Sequence, residues 1–220
     1  MTRPAAVIFD NDGTFLATED AWSRAESALF ERRGRVLLPE HKRELLGTSF
    51  AAASRHLERF LDAPGGGPLL LQELSELVHA ELDHGVPVMP GAAELVAALH
   101  ADAVPVAMAT NAARGFAEKA LAAAGHPHTF DVLLTADDVP RPKPAPDIYV
   151  AAAEALGVRP EECVAVEDSP TGVRSARDAG MTVVGVLSHP GVELDAHHVV
   201  PTLNDPLLWD LLGVELAGLG

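Results

Sequence analysis

Val7-Ile8-Phe9-Asp10-Asn11-Asp12-Gly13-Thr14-Phe15 is an apolar run that ends abruptly in two carboxylates one residue apart, followed by Gly-Thr. Ala6, Val7, Ile8 and Phe9 do not alternate with polar residues, so this segment reads as a strand covered on both faces of a parallel sheet. Ligands bind beyond the carboxyl ends of such strands, which directs Asp10 and Asp12 into a site. Two ionised aspartates, each with an ordinary pKa near 3.9, repel each other and any phosphate unless a cation or a proton compensates. On these residues alone two readings stand. In one, Asp10 attacks phosphorus while Asp12 protonates the leaving oxygen and later takes a proton from water. In the other, the segment is a polar turn closed by Asx hydrogen bonds.

Three later segments also end an apolar run in a group that phosphoryl transfer requires. Val104 to Ala109 leads into Thr110-Asn111, whose hydroxyl and amide can donate to phosphoryl oxygens without adding negative charge; a turn or helix cap is the plainer use of such a pair. Arg141-Pro142-Lys143-Pro144-Ala145-Pro146-Asp147-Ile148-Tyr149 sets one lysine between two prolines that restrict the backbone on both sides. Its ammonium can thus be aimed at a substrate or at Asp10, unless it is an ordinary surface lysine. Cys163-Val164-Ala165-Val166 ends in Glu167-Asp168-Ser169-Pro170-Thr171-Gly172, a second acidic pair at a strand end. Oxygen ligands from Asp10 and Asp168, a backbone carbonyl near Asp12 and several waters suit octahedral Mg²⁺. An Asp-Ser-Pro helix cap at the same place is compatible with that role.

In this order, Asp10-Asn11-Asp12-Gly13-Thr14, Thr110-Asn111, Lys143-Pro144 and Glu167-Asp168 resemble the four motifs of the haloacid dehalogenase superfamily. The stretches Lys143 to Tyr149 and Val166 to Val173 resemble the branch that contains phosphoglycolate phosphatase, sugar-phosphate phosphatases and beta-phosphoglucomutase. The resemblance implies a Rossmann-like catalytic core over residues 1–16 and 88–220, with a small α-helical cap inserted at 17–87. It implies Asp10 as nucleophile, Asp12 as acid and base, and Thr110 with Lys143 as phosphoryl ligands. Asp10, the Asp12 carbonyl and Asp168 would hold Mg²⁺, with Glu167 coordinating it directly or through water. Asn11 falls at a variable position, and Phe15 to Glu19 depart from the commoner Leu-Val-Asp-Ser-Glu.

Leu45-Leu46-Gly47-Thr48-Ser49-Phe50 resembles the family's substrate-specificity loop, which makes Gly47 and Thr48 candidate substrate contacts. Beta-phosphoglucomutase-like chains carry an arginine at the place of Phe50, and serine and lysine at the places of Ala112 and Ala113. Each lost charge-assisted bond to a distal phosphate is worth roughly 1.5 to 3 kcal/mol, which favours hydrolysis over mutase chemistry. Arg114 and Arg43 are candidates for a carboxylate or second anionic group, or are solvated surface arginines. A Mg²⁺-dependent phosphatase acting on a small phosphorylated metabolite is the leading expectation. The alternatives are a phosphomutase, a dehalogenase, and a phospho-accepting receiver module that binds partners.

Composition bounds these readings. The 220 residues suffice for one sizeable core plus a small second domain. The net charge of -16 argues against a nucleic-acid or membrane surface. The anionic substrate must then be attracted locally, by a metal and Lys143. The single cysteine, Cys163, excludes an internal disulfide and reads as an inert core thiol. No signal peptide is evident and no apolar stretch approaches about 18 residues. A cytoplasmic, monomeric enzyme is expected.

From Ala17 to Val88 the chain is rich in helix formers. Trp22, Ala25 and Leu29 mark an apolar stripe on a helix from Glu19 to Arg32. Further helices are predicted over Glu40 to Leu46, Ser49 to Leu61 and Leu69 to His84, the last two separated by the breakers Pro64-Gly65-Gly66-Gly67-Pro68. Downstream, strands at 131–134, 163–166 and 182–186 alternate with helices at 94–100, 116–124, 146–156 and 172–179. A short edge strand at Val199-Val200 and a closing helix at 206–212 complete the pattern. Such alternation predicts an α/β fold with a doubly wound parallel sheet.

Overall fold

The structure, a computed structural model, describes residues 3–45, 48, 50–188 and 191–215. Six parallel strands form one sheet: β1 (Ala6–Phe9), β2 (Val106–Ala109), β3 (Val132–Leu134), β4 (Cys163–Glu167), β5 (Thr182–Val186) and β6 (His198–Val200). Their order is β3-β2-β1-β4-β5-β6, so the winding reverses between β1 and β4. In open α/β sheets the crevice at that switch point, beyond the carboxyl ends of the strands, is where ligands bind. The register pairs Phe9 with both Met108 and Val166, which brings the strand ends carrying Asp10, Thr110 and Glu167 to one level.

Period-2 geometry sends alternate residues of each strand to opposite faces, and both faces are covered, as the unbroken apolar runs require. Ala6, Ile8, Ala107, Ala109, Cys163, Ala165 and Val183 point into one buried cluster with Ile148, Tyr149 and Ala152 of α7 (Asp147–Ala155) and Val173 and Ala176 of α8 (Pro170–Asp178). The other helices of this part of the chain are α5 (Ala92–Ala101), α6 (Arg114–Ala123) and α9 (Pro206–Leu212).

The chain divides into two compact units, one holding residues up to Ala17 and from Pro87 onward, the other Thr18–Val86. In the first, the outgoing and returning segments pair: Ala17 N–H donates to the Pro87 carbonyl at 2.8 Å and Met89 N–H to the Phe15 carbonyl at 2.9 Å. The second holds α1 (Glu19–Glu31), α2 (Pro39–Leu45), α3 (Phe50–Phe60) and α4 (Gly67–Leu82). Leu29 and Phe30 of α1, Leu57 of α3, and Leu70, Leu74, Val78 and Leu82 of α4 are buried. Among the described residues no helix is long and apolar enough to cross a membrane.

Two local expectations shift. Helix α4 begins at Gly67, inside the expected breaker run, because Pro68 falls in its first turn, where the missing N–H has no intrahelical partner to lose. The buried stripe of α1 runs through Ala21, Ala25, Leu29 and Phe30 and includes Glu26, while Trp22 is only half-buried.

Candidate active site

Asp10 follows directly on β1 and is 7 % exposed. Its amide donates to the Val166 carbonyl at 2.9 Å, which continues the β1–β4 ladder one residue past the strand and holds the carboxyl group beside β4. Next to it, Gly13 N–H donates to the Leu16 carbonyl, and the amides of Phe15 and Leu16 both donate to the Asn11 carbonyl. The segment after Asp10 is thus a tight loop closed by main-chain bonds.

Lys143 lies at the centre. It is 3 % exposed, and its ammonium donates to Asp10 Oδ1 at 2.6 Å, to Glu167 Oε1 at 2.6 Å and to the Ala109 carbonyl at 2.8 Å. An ammonium has three protons, and each has an acceptor. Burial by itself would lower the Lys143 pKa, but the Asp10 and Glu167 carboxylates outweigh it and push the value well above the usual lysine range. Burial raises the Asp10 pKa well above the usual aspartate range. Lys143 opposes that rise, and Glu167, Asp168 and Asp12 add to it.

Glu167, the last residue of β4, is fully enclosed. Its Oε1 also accepts from the Tyr149 hydroxyl at 2.9 Å, while Oε2 accepts from the amides of Asp168 and Ser169 and the Ser169 hydroxyl at 3.0 to 3.1 Å. The Ser169 hydroxyl in turn accepts from Gly172 N–H at 3.0 Å and caps α8. The helix cap and the acidic cluster are therefore one hydrogen-bonded unit. A Cβ on Gly172 would collide with the Glu167 carboxylate as it is placed here, so glycine is the residue that fits position 172 in the first turn of α8. Asp168, 3 % exposed, accepts from the Ser188 hydroxyl at 2.5 Å.

Carboxylate oxygens of Asp10, Glu167 and Asp168 lie within 4.8 Å of one another, and all three residues are buried. One ammonium against these carboxylates leaves excess negative charge in a desolvated place, a donor set of hard oxygens that fits a divalent cation. Thr110, 1 % exposed, donates to Asp12 Oδ2 at 3.3 Å and accepts from Ala112 N–H at 3.0 Å. Asp10, Asp12, Thr110, Lys143, Glu167 and Asp168 thus gather from three strand ends and one loop.

The remaining sequence candidates lie differently. The Asn111 carboxamide, read as a donor to phosphoryl oxygens, bonds the backbone of Lys143 instead. Arg114, read as an anion contact, is held by Asp138 at 2.6 Å, the Leu133 carbonyl at 3.1 Å and Glu118 at 3.3 Å. Those bonds tie the start of α6 to the end of β3, and they explain a pKa above the usual arginine value despite some desolvation. Thr48 belongs to the helical unit, where its hydroxyl donates to the Leu45 carbonyl at 2.9 Å. Gly47 lies outside the described residues. Tyr149 and Ser188 were not singled out in the sequence. The available signal was the buried phenol of Tyr149 on an otherwise apolar helix face, since an enclosed hydroxyl requires a partner.

The profile of the haloacid dehalogenase-like hydrolase family matches residues 4–180. Validoxylamine A 7'-phosphate phosphatase of Streptomyces hygroscopicus subsp. limoneus is 31 % identical over 221 residues, covering 97 % of this chain and 97 % of that protein. Hexitol phosphatase A of Escherichia coli is 35 % identical over 186 residues, 84 % of this chain and 83 % of that protein. Among solved structures, CbbY from Rhodobacter sphaeroides in complex with phosphate superposes with a TM-score of 0.80 at 31 % identity, over 91 % of this chain and 95 % of that one. With its motifs in family order on a family fold, the chain belongs to the haloacid dehalogenase-like hydrolases.

Proposed function

We propose that this hydrolase is a Mg²⁺-dependent phosphatase that acts on a small phosphorylated sugar or polyol through an aspartyl-phosphate intermediate. The observation that carries the reading is the buried array at the sheet's switch point, in which Lys143 bridges Asp10 and Glu167 at 2.6 Å each, with Asp168 alongside. Asp10 attacks phosphorus; the bond from phosphorus to the leaving oxygen breaks as Asp12 gives that oxygen a proton. Asp12, now a carboxylate, takes a proton from water, whose oxygen bonds to phosphorus while the acyl phosphate is cleaved and Asp10 is regenerated. Lys143 sets its positive charge beside the phosphoryl oxygens, and the Thr110 hydroxyl turns from Asp12 to donate to the charge that develops on them. Asp10, Asp168 and the Asp12 carbonyl would hold Mg²⁺, with Glu167 in the same cluster; the ion neutralises carboxylate charge and polarises the phosphoryl group. The helical unit is read as the inserted cap that the sequence leads one to expect.

Two considerations support a sugar or polyol phosphate. The relatives above are named for validoxylamine A 7'-phosphate and for hexitol. Ala112 and Ala113 also offer no side-chain donor to a second phosphate, which favours hydrolysis over mutase chemistry. Burial pushes the Cys163 thiol up to about 11, which keeps it protonated near neutral pH.

A panel of hexose, hexitol and cyclitol phosphates assayed with Mg²⁺ should show turnover on some members. EDTA should abolish it, added Mg²⁺ restore it, and Asp10→Asn remove it with the fold retained. Full activity after rigorous metal removal, or multiple turnover by Asp10→Asn, would sink the reading.

A further inference from the structure

Lys143 stands between Pro142 and Pro144, residues that have no N–H of their own, and its backbone is held from outside the loop. Its N–H donates to Asn111 Oδ1 at 2.9 Å, and Asn111 Nδ2 donates to its carbonyl at 3.1 Å. Two bonds from one planar carboxamide to the N–H and C=O of one residue set both its position and its orientation. The other end of the lysine is held by the same short segment, since the ammonium donates to the Ala109 carbonyl. Residues 109 and 111 therefore grip Lys143 at head and backbone, while Thr110 between them bonds Asp12. The ammonium has no spare proton, so a displaced Lys143 backbone must break a bond to Asp10, Glu167 or Ala109. One N–H and the oxygen of the carboxamide are spent on the Lys143 backbone, and that pairing fixes the direction in which the second N–H points.

We propose that Asn111 is a positioning residue that acts through Lys143 rather than a phosphate ligand. The proposal rests on the reading of Lys143 as a phosphoryl ligand. A double-mutant cycle on the full-length enzyme tests it, with kcat and KM measured on the best substrate of the panel and inhibition by inorganic phosphate as a separate readout. Asn111→Ala is expected to lower kcat about 10²-fold, the scale of an ångström's misplacement, and to weaken phosphate inhibition no further than Lys143→Met does. Lys143→Met should lower kcat at least as far, and the double variant should be no slower than Lys143→Met alone. Additive losses, or phosphate inhibition that Asn111→Ala weakens further in the Lys143→Met background, would overturn the proposal and make Asn111 a direct ligand.

Amide hydrogen exchange provides a readout independent of turnover. In Asn111→Ala the Lys143 amide should lose protection while amides of β1 and β4 keep theirs, which also shows that the fold survives. Unchanged protection at Lys143 defeats the clamp whatever the kinetics. If the unmodified enzyme hydrolyses no phosphate ester, the hydrolase reading fails by itself, and exchange at Lys143 still decides whether Asn111 holds the loop.

Discussion

In the sheet unit the enclosed Glu167 carboxylate meets an ammonium, a phenol, two amides and a serine hydroxyl, whereas in the helical unit Glu26 is 7 % exposed and its Oε2 has no hydrogen-bond partner. Both are buried acids, yet only one sits in an array built around charge. Glu26 lies on the buried stripe of α1; desolvation raises its pKa to about 7, with Lys42 opposing the rise and Glu19 adding to it. The contrast separates two uses of burial. In the core, burial strengthens the attraction among opposite charges that hold one another in place. In the helical unit, burial favours the neutral acid.

The largest expected effect tests whether the core carboxylates have separate tasks. Asp12→Ala should lose about 10²- to 10⁴-fold in steady-state turnover of alkyl phosphates, the usual contribution of a general acid and base. It should also accumulate phosphoenzyme from activated aryl esters, whose leaving groups depart without a proton. Rapid-quench detection of an acid-stable, hydroxylamine-sensitive phosphoprotein checks this, and unchanged turnover of alkyl phosphates removes Asp12 from the mechanism.

Next in size is the dependence of the core array on its one ammonium. Lys143→Met leaves Asp10 and Glu167 facing each other without a cation, and breaking a buried pair by removing one partner costs about 3 to 5 kcal/mol. Urea melts in EDTA should show that loss, and Mg²⁺ should recover part of it in the variant. A loss below about 1 kcal/mol, on the scale of exposed ion pairs, would mean that the array is held by something other than charge.

The smallest effect belongs to Glu26. A carboxyl that titrates near 4.5 when unfolded and near 7 when folded binds its proton more tightly in the native state. Its protonation therefore contributes stability that is fully present below about pH 4.5 and is lost as pH rises through about 7. The shift corresponds to about 3 kcal/mol as an upper bound. Glu26→Gln should match the parent near pH 4.5 and exceed it in stability by up to that amount at pH 8, as read by thermal or urea unfolding. Parallel stability curves for the two proteins across this range would show that Glu26 is ionised and solvated, and the contrast with Glu167 would dissolve.

The candidate positions Asp10, Thr110 and Glu167 were legible in the sequence because each lies at the end of a short strand, whereas Lys143 lies in a loop. An apolar run four residues long followed by Asp10 or by Thr110 carries its own direction, since strand and loop geometry are local. The parallel sheet followed from unbroken apolar strands alternating with helices. The start of α4 was less legible, because a proline within a glycine-rich run signals a break until its place in the first turn is known. Trp22 was expected on the buried stripe of α1 but is only half-buried, because apolar periodicity assigns a face by residue type, while packing against α4 decides which face is covered.

The sequence by itself determined the order of strands and helices, the acidic, hydroxyl and ammonium groups of the candidate site, and the family to which they conform, because those features depend on residue type and short-range spacing. Only the tertiary structure decided who bonds whom. Asn111 and Lys143 are 32 positions apart, Lys143 and Glu167 24, and Lys143 and Asp10 133. No local pattern encodes such pairings. They arise when the strand order β2-β1-β4 brings three strand ends to one level and the buried ammonium, carboxylates and carboxamide must find partners there, since a buried polar group left without one costs about 1 to 3 kcal/mol.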